Sequence, residues 1–191
     1  MVSRRTVVAL VIAVATLGGC SGPPAAASPA GATTYLEFRE AFCSAFDGLF
    51  RAIGNPDTGS DSELMAQMEA AIAAGDRATV ERVAREIVAT LEAAREHGRF
   101  AGGWAPASPL AAPLDRMLVT FEVLVEAKRS AAGEGIDAAN SAGQTAFEQA
   151  GGLEAWTNLL RAFQDPAVMG ALASARPADL DPQCPTVPIS V

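Results

Sequence analysis

The sequence predicts an all-α protein, a single helical bundle of about six helices followed by a Pro-rich C-terminal tail. Three observations carry that prediction. Half of the 191 residues are hydrophobic but only 6% are aromatic, and the apolar half is mostly Ala, Val and Leu, with few strand-length clusters of β-branched or aromatic residues after Tyr35. Apolar residues recur every three or four positions in several separate stretches, the spacing that gathers them on one helical face. Glycines punctuate those stretches at Gly54, Gly75, Gly133 and Gly151, where a helix ends most readily. No fixed period of repeat is present, so a solenoid is not indicated.

The first element stands apart from the bundle. Arg4 and Arg5 precede an apolar run from Val7 to Leu17, followed by Gly18, Gly19 and Cys20. A bilayer span needs about 20 apolar residues, so this shorter run has the form of a signal-peptide core. Leu17-Gly18-Gly19-Cys20 resembles the lipobox of bacterial lipoproteins, a resemblance confined to residues 1–20. It implies cleavage before Cys20 and a diacylglyceryl group on that cysteine, two acyl chains anchoring stably where one does not. It also implies a location on the extracytoplasmic face of the cell membrane, at the cell surface or in the periplasm. Residues 1–19 are then the signal peptide, 20–32 the lipidated cysteine and a tether, and 33–191 the bundle with its tail. Ser21 to Ala32 contains only Ser, Gly, Pro and Ala, too little apolar surface to order itself, with a reach of about 20 to 37 Å.

The bundle opens at Thr34, where Glu37 three residues later completes a capping box. Tyr35, Phe38, Phe42, Phe46, Leu49 and Ile53 form one stripe, with Cys43 on its flank and Glu40, Ser44, Asp47 and Arg51 opposite. Arg39 falls between Phe42, Phe46 and Phe50, where it would snorkel or meet a buried acid. Ser60 with Glu63 suggests a second capping box, opening a helix with Leu64, Met68 and Ile72 that stops at Gly75. Asp76 caps the next helix at once, so helices two and three should be antiparallel neighbours. Helix three gathers Val80, Val83, Ala84, Ile87 and Leu91 on one face, with Glu81/Arg85 and Arg82/Glu86 as i,i+4 pairs on the other.

His97-Gly98 then reads as a break, followed by a connector from Arg99 to Ser108 and a fourth helix, begun near Pro109 and Pro113, that runs to Ala131. That helix is apolar nearly all round and is expected at the centre. Ile136 to Ala150 is a weaker helix whose small residues Ala139, Gly143 and Ala146 would let a neighbour approach closely. Leu153, Trp156, Leu159, Leu160 and Phe163 mark a sixth, amphipathic segment, and Asp165-Pro166 caps a last short turn.

With Cys20 assigned to lipid, Cys43 and Cys184 remain as an even pair in an oxidising compartment. A structural Cys43–Cys184 disulfide is expected, tying helix one to the tail, with two buried free thiols as the alternative.

Candidate chemistry is sparse. A net charge of −8 argues against nucleic acid as a partner. The chain has one His, no G-x-S-x-G and no second His for a zincin site. Gly133 to Ala138 fits G-x-G-x-x-A, yet a helix precedes it where a dinucleotide fold needs a strand. Asn55, Asp57, Asp61 and Glu63 alternate as calcium ligands do, but Ser62 and Met68 occupy the positions where an EF-hand requires Gly and Glu. Glu122 and Glu126 sit one turn apart, close enough to share a proton or a metal. The densest unusual group is the connector, where His97, Arg99, Phe100 and Trp104 lie among glycines. Arg99, Phe100 and Trp104 are the candidate ligand-binding residues; the competing expectation is that Phe100 and Trp104 plug one end of the bundle.

No cofactor and no metal are implied. The expected function is that of a membrane-anchored, non-enzymatic binding or envelope-interaction module, its partners the membrane and an envelope protein or small ligand. A small-ligand carrier with a pocket in the bundle and a carboxylate-based hydrolase are the alternatives.

Overall fold

The computed structural model describes residues 31–55 and 62–185. The signal segment, Cys20, Asp57, Ser60 and Asp61 lie outside the described residues. Those described form seven α-helices and no strand: α1 Tyr35–Ile53, α2 Glu63–Ala74, α3 Arg77–Ala101, α4 Ser108–Ala131, α5 Ile136–Gln149, α6 Gly152–Phe163 and α7 Pro166–Ala175. Short 3₁₀ turns at Ala105–Ala107 and Ala132–Glu134 flank α4.

The expected caps hold where they are local. Thr34 accepts from the Glu37 backbone N–H and the Glu37 carboxylate bonds back to the Thr34 N–H, a complete capping box. The backbone N–H of Thr33, followed by its hydroxyl, also donates to Glu37 and holds that carboxyl below the usual carboxylate range. Gly75 ends α2 with φ of 69°, a left-handed turn open to glycine at no steric cost, and Asp76 caps α3 by accepting from Thr79 N–H. The cap of α2 is Ser62, which puts Glu63 at the first helical position instead of the third. Ser62 is buried because its hydroxyl works twice, donating to the Ala52 carbonyl of α1 at 2.8 Å and accepting from the Met65 N–H. No local pattern reveals that bridge between helices.

The two longest helices, α3 and α4, form the centre. Helices α1 and α2 cover α3, while α5 and α6 cover α4. The α1/α3 pair is antiparallel, Gly48 lying against Ala94 while Ala32 donates to the Phe100 carbonyl at 2.8 Å. So is α3/α4, with Gly98 against Leu114 at one end and Glu81 bonded to Arg129 at the other. Leu114, Met117, Leu118 and Val125 of α4 are fully buried, as its all-round apolarity predicts.

Three expectations are corrected. Gly98 does not break α3, which continues to Ala101, so His97, Arg99 and Phe100 are helical and the connector shrinks to Gly102–Trp104 and a 3₁₀ turn. A Cβ at Gly98 would stand 3.1 Å from the Leu114 side chain; the glycine serves close packing of two helices. The last short turn is a full helix, α7, capped by Asp165 and seated by Val168 and Leu172. Leu153 and Leu160 of α6, expected on its buried face, are exposed, because Ala155 and Leu159 provide the contact with the bundle.

The packed domain also begins earlier than the composition shift at Thr33 indicates. Ala32 is only 1% exposed, and a Cβ on Gly103 would stand 2.5 Å from the Gly31 Cα. Only backbone lies on either side of that contact, so Gly103→Ala is expected to cost about 1–3 kcal/mol by overpacking. The check is a denaturant midpoint with unchanged slope; a wild-type midpoint would show that the Gly31 backbone moves aside freely.

Candidate functional site

The end of the bundle that holds Arg99, Phe100 and Trp104 is built from the last turn of α3, the 3₁₀ turn and the start of α1. Trp104 is 9% exposed, and its ring lies 5.2 Å from Phe38 and 5.8 Å from Tyr35, the latter edge-on. Phe38 continues to Phe42 and Phe42 to Phe46, so Trp104 closes a column of aromatic rings along α1. Phe100 is half-buried against the same core. Burial raises the pKa of the Tyr35 hydroxyl, against the smaller opposing influence of Arg176 and Arg39. Trp104 is thus buried in the core at this end of the bundle, with Phe100 partly exposed beside it.

Arg99 is held in ion pairs on α3 and α4. Its Nε donates to Asp115 Oδ1 at 3.1 Å and its Nη1 to Glu96 at 3.1 Å. Asp115 also accepts from Arg95, whose Nη1 reaches Glu122 at 3.1 Å. Arg95 is the member of this network that sequence spacing does not reveal, since its partners lie on α4. Burial works against the charge of Arg95, but its bonds to Asp115 and Glu122 outweigh that influence and leave its pKa raised.

Glu122 and Glu126 are each bonded to a different arginine. Glu122 belongs to Arg95, while Glu126 accepts from Arg129 Nε at 2.8 Å, a bond that lowers its pKa. Arg129 also donates to Glu81 of α3 at 2.7 Å, so Glu81 spans two helices instead of pairing with Arg85. The Arg82–Glu86 pair is present at 3.7 Å, with both side chains solvated. Among the described residues no group of three or more His, Cys, Asp or Glu could hold a metal ion. The glycines of Gly133–Ala138 lie between α4 and α5 with no preceding strand, and serve as a helix break.

Lys128, the chain's one lysine, is buried, with its ammonium on Glu69 of α2 at 2.5 Å. Gly143 makes room for it, since a Cβ there would stand 2.5 Å from Lys128 Cγ. The small-residue face of α5 thus admits a lysine stem as well as a neighbouring helix.

The Sγ atoms of Cys43 and Cys184 lie 2.09 Å apart, at disulfide distance. Arg39 neither snorkels nor meets an acid: its Nη2 donates to the carbonyls of Asp181 at 3.0 Å and Gln183 at 2.5 Å. The tail is held to α1 by the cysteine pair and by this clamp together.

Two grooves on the described surface lie away from the former connector. One of about 590 Å³ runs beside the α2–α3 turn, lined by Ile72, Gly75, Arg77, Val80, Ala132 and Gly133. Another, of about 460 Å³, has an Ala84, Val88 and Ala89 floor between the Glu81–Arg129 and Glu92 side chains. Comparison with protein-family models, with curated proteins and with solved structures finds no match to this chain. The class that its own geometry defines is an all-α bundle, with seven helices among the described residues and several acids used in ion pairs between and along them.

Proposed function

We propose that this protein is an exported, lipid-anchored helical module that works by binding at the cell envelope rather than by catalysis. One observation carries the anchor: Arg4, Arg5, the apolar run to Leu17 and the lipobox-like Leu17-Gly18-Gly19-Cys20 stand in the order a lipoprotein signal requires. A second supports binding over chemistry. Asp115, Glu122, Glu126, Glu81 and Glu69 each have a cationic partner within 3.2 Å, whereas a carboxylate-based hydrolase needs two acids left facing one substrate with separated pKa values. No described helix is long and apolar enough to cross a membrane; in this reading the attachment is the lipid on Cys20.

Cys20→Ala is the direct test. The wild-type protein should sediment with membranes and take up a radiolabelled fatty acid, and the variant should take up none, because Cys20 is the acceptor the lipobox defines. A variant that still incorporates fatty acid would refute the assignment.

A further inference from the structure

We propose that the anchored domain stands on the bilayer in one orientation, with the Trp104 end facing the phospholipid headgroups and the α2–α3 turn facing away. The proposal rests on the lipid anchor at Cys20 and adds to it the surface that meets the membrane. Its first support is the place where the chain leaves the fold. Gly31 and Ala32 are held at the C-terminal end of α3, by the Ala32 N–H bond to the Phe100 carbonyl and by backbone contact with Gly103. That docking puts the exit beside Trp104 and the first turn of α4.

Lengths decide what the exit permits. Arg77–Ala101 of α3 measures about 36 Å at 1.5 Å per residue, and this separates the exit from the opposite end. Eleven residues lead from Cys20 to Gly31; they reach at most about 36–40 Å when fully extended, and a coiled chain of that length spans about 17–20 Å. Placing the α2–α3 turn on the bilayer would lift the exit by the full length of α3 and require the leader to be drawn taut. Placing the Trp104 end on the bilayer requires no extension.

The charge pattern agrees. Phe100 to Leu114, which closes the exit end, contains no charged residue. The opposite end carries Asp76, Arg77, Glu134 and Asp137. A net-acidic chain is repelled by anionic headgroups within about a Debye length; the uncharged stretch from Phe100 to Leu114 lessens that repulsion at this end, where the neighbouring Glu96 and Asp115 are paired with Arg99. The groove beside Gly75, Arg77 and Gly133 then opens toward the aqueous side, where a soluble partner could reach it.

The test is energy transfer to the bilayer. Full-length lipidated protein, carrying a donor dye at Ala112→Cys near the exit or at Ala78→Cys near the α2–α3 turn, is reconstituted in phosphatidylglycerol/phosphatidylethanolamine vesicles with acceptor-labelled headgroups. Both positions are exposed. Transfer from position 112 should clearly exceed that from position 78, the apparent distances to the acceptor plane differing by roughly 20–35 Å, most of the helix length. Equal transfer, or more from position 78, in vesicle-bound protein would overturn the orientation and leave the anchor standing. Protein that fails to remain with the vesicles would overturn the anchor, and the orientation with it.

Discussion

Trp104→Ala is expected to destabilise the domain by about 3–5 kcal/mol, the range for truncating a large buried aromatic. The residue is 9% exposed and its ring touches Tyr35 and Phe38, so alanine would leave a void at the end of the α1 aromatic column as well as removing apolar contact. Phe100→Ala should cost less, about half as much, because that ring is only half-buried. Chemical denaturation of both variants makes the comparison. A Trp104→Ala protein that unfolds at the wild-type denaturant concentration would show that the end of the bundle can collapse around the missing ring, and would reopen it as a ligand mouth.

Cys184→Ala should lower stability by about 2–5 kcal/mol, chiefly by releasing a 141-residue separation that the cross-link closes in the unfolded chain. In a domain of this size that is a fall of roughly 5–15 °C in melting temperature. Helical content should stay near wild type, because no helix depends on the tail for its own hydrogen bonds. Some tail contact should also survive through Arg39, whose bonds to the Asp181 and Gln183 carbonyls do not involve sulfur. Non-reducing peptide mapping of the native protein should find Cys43 joined to Cys184. Two thiols that alkylate freely in the native protein would sink the assignment.

The sequence by itself determined whatever depends on neighbours a few residues apart. The Thr34–Glu37 box, the Gly75–Asp76 turn and the stripes of α1 and α3 follow from helical spacing, in which residues three and four apart meet. The cysteine pairing was also legible, through compartment and parity rather than through space. Tertiary structure alone decided the rest. Gly98 looks the same in sequence whether it ends a helix or admits a neighbour, and Leu114 on α4 makes it the second. Glu81 has Arg85 one turn away yet bonds to Arg129, 48 positions along, because antiparallel packing of α3 on α4 brings that guanidinium nearer. Trp104 is buried because α1 brings Tyr35 and Phe38 against its ring. Periodicity states which side of a helix is apolar, but which groups touch across helices is set by how closely the backbones approach, and that distance is fixed only when the helices pack together.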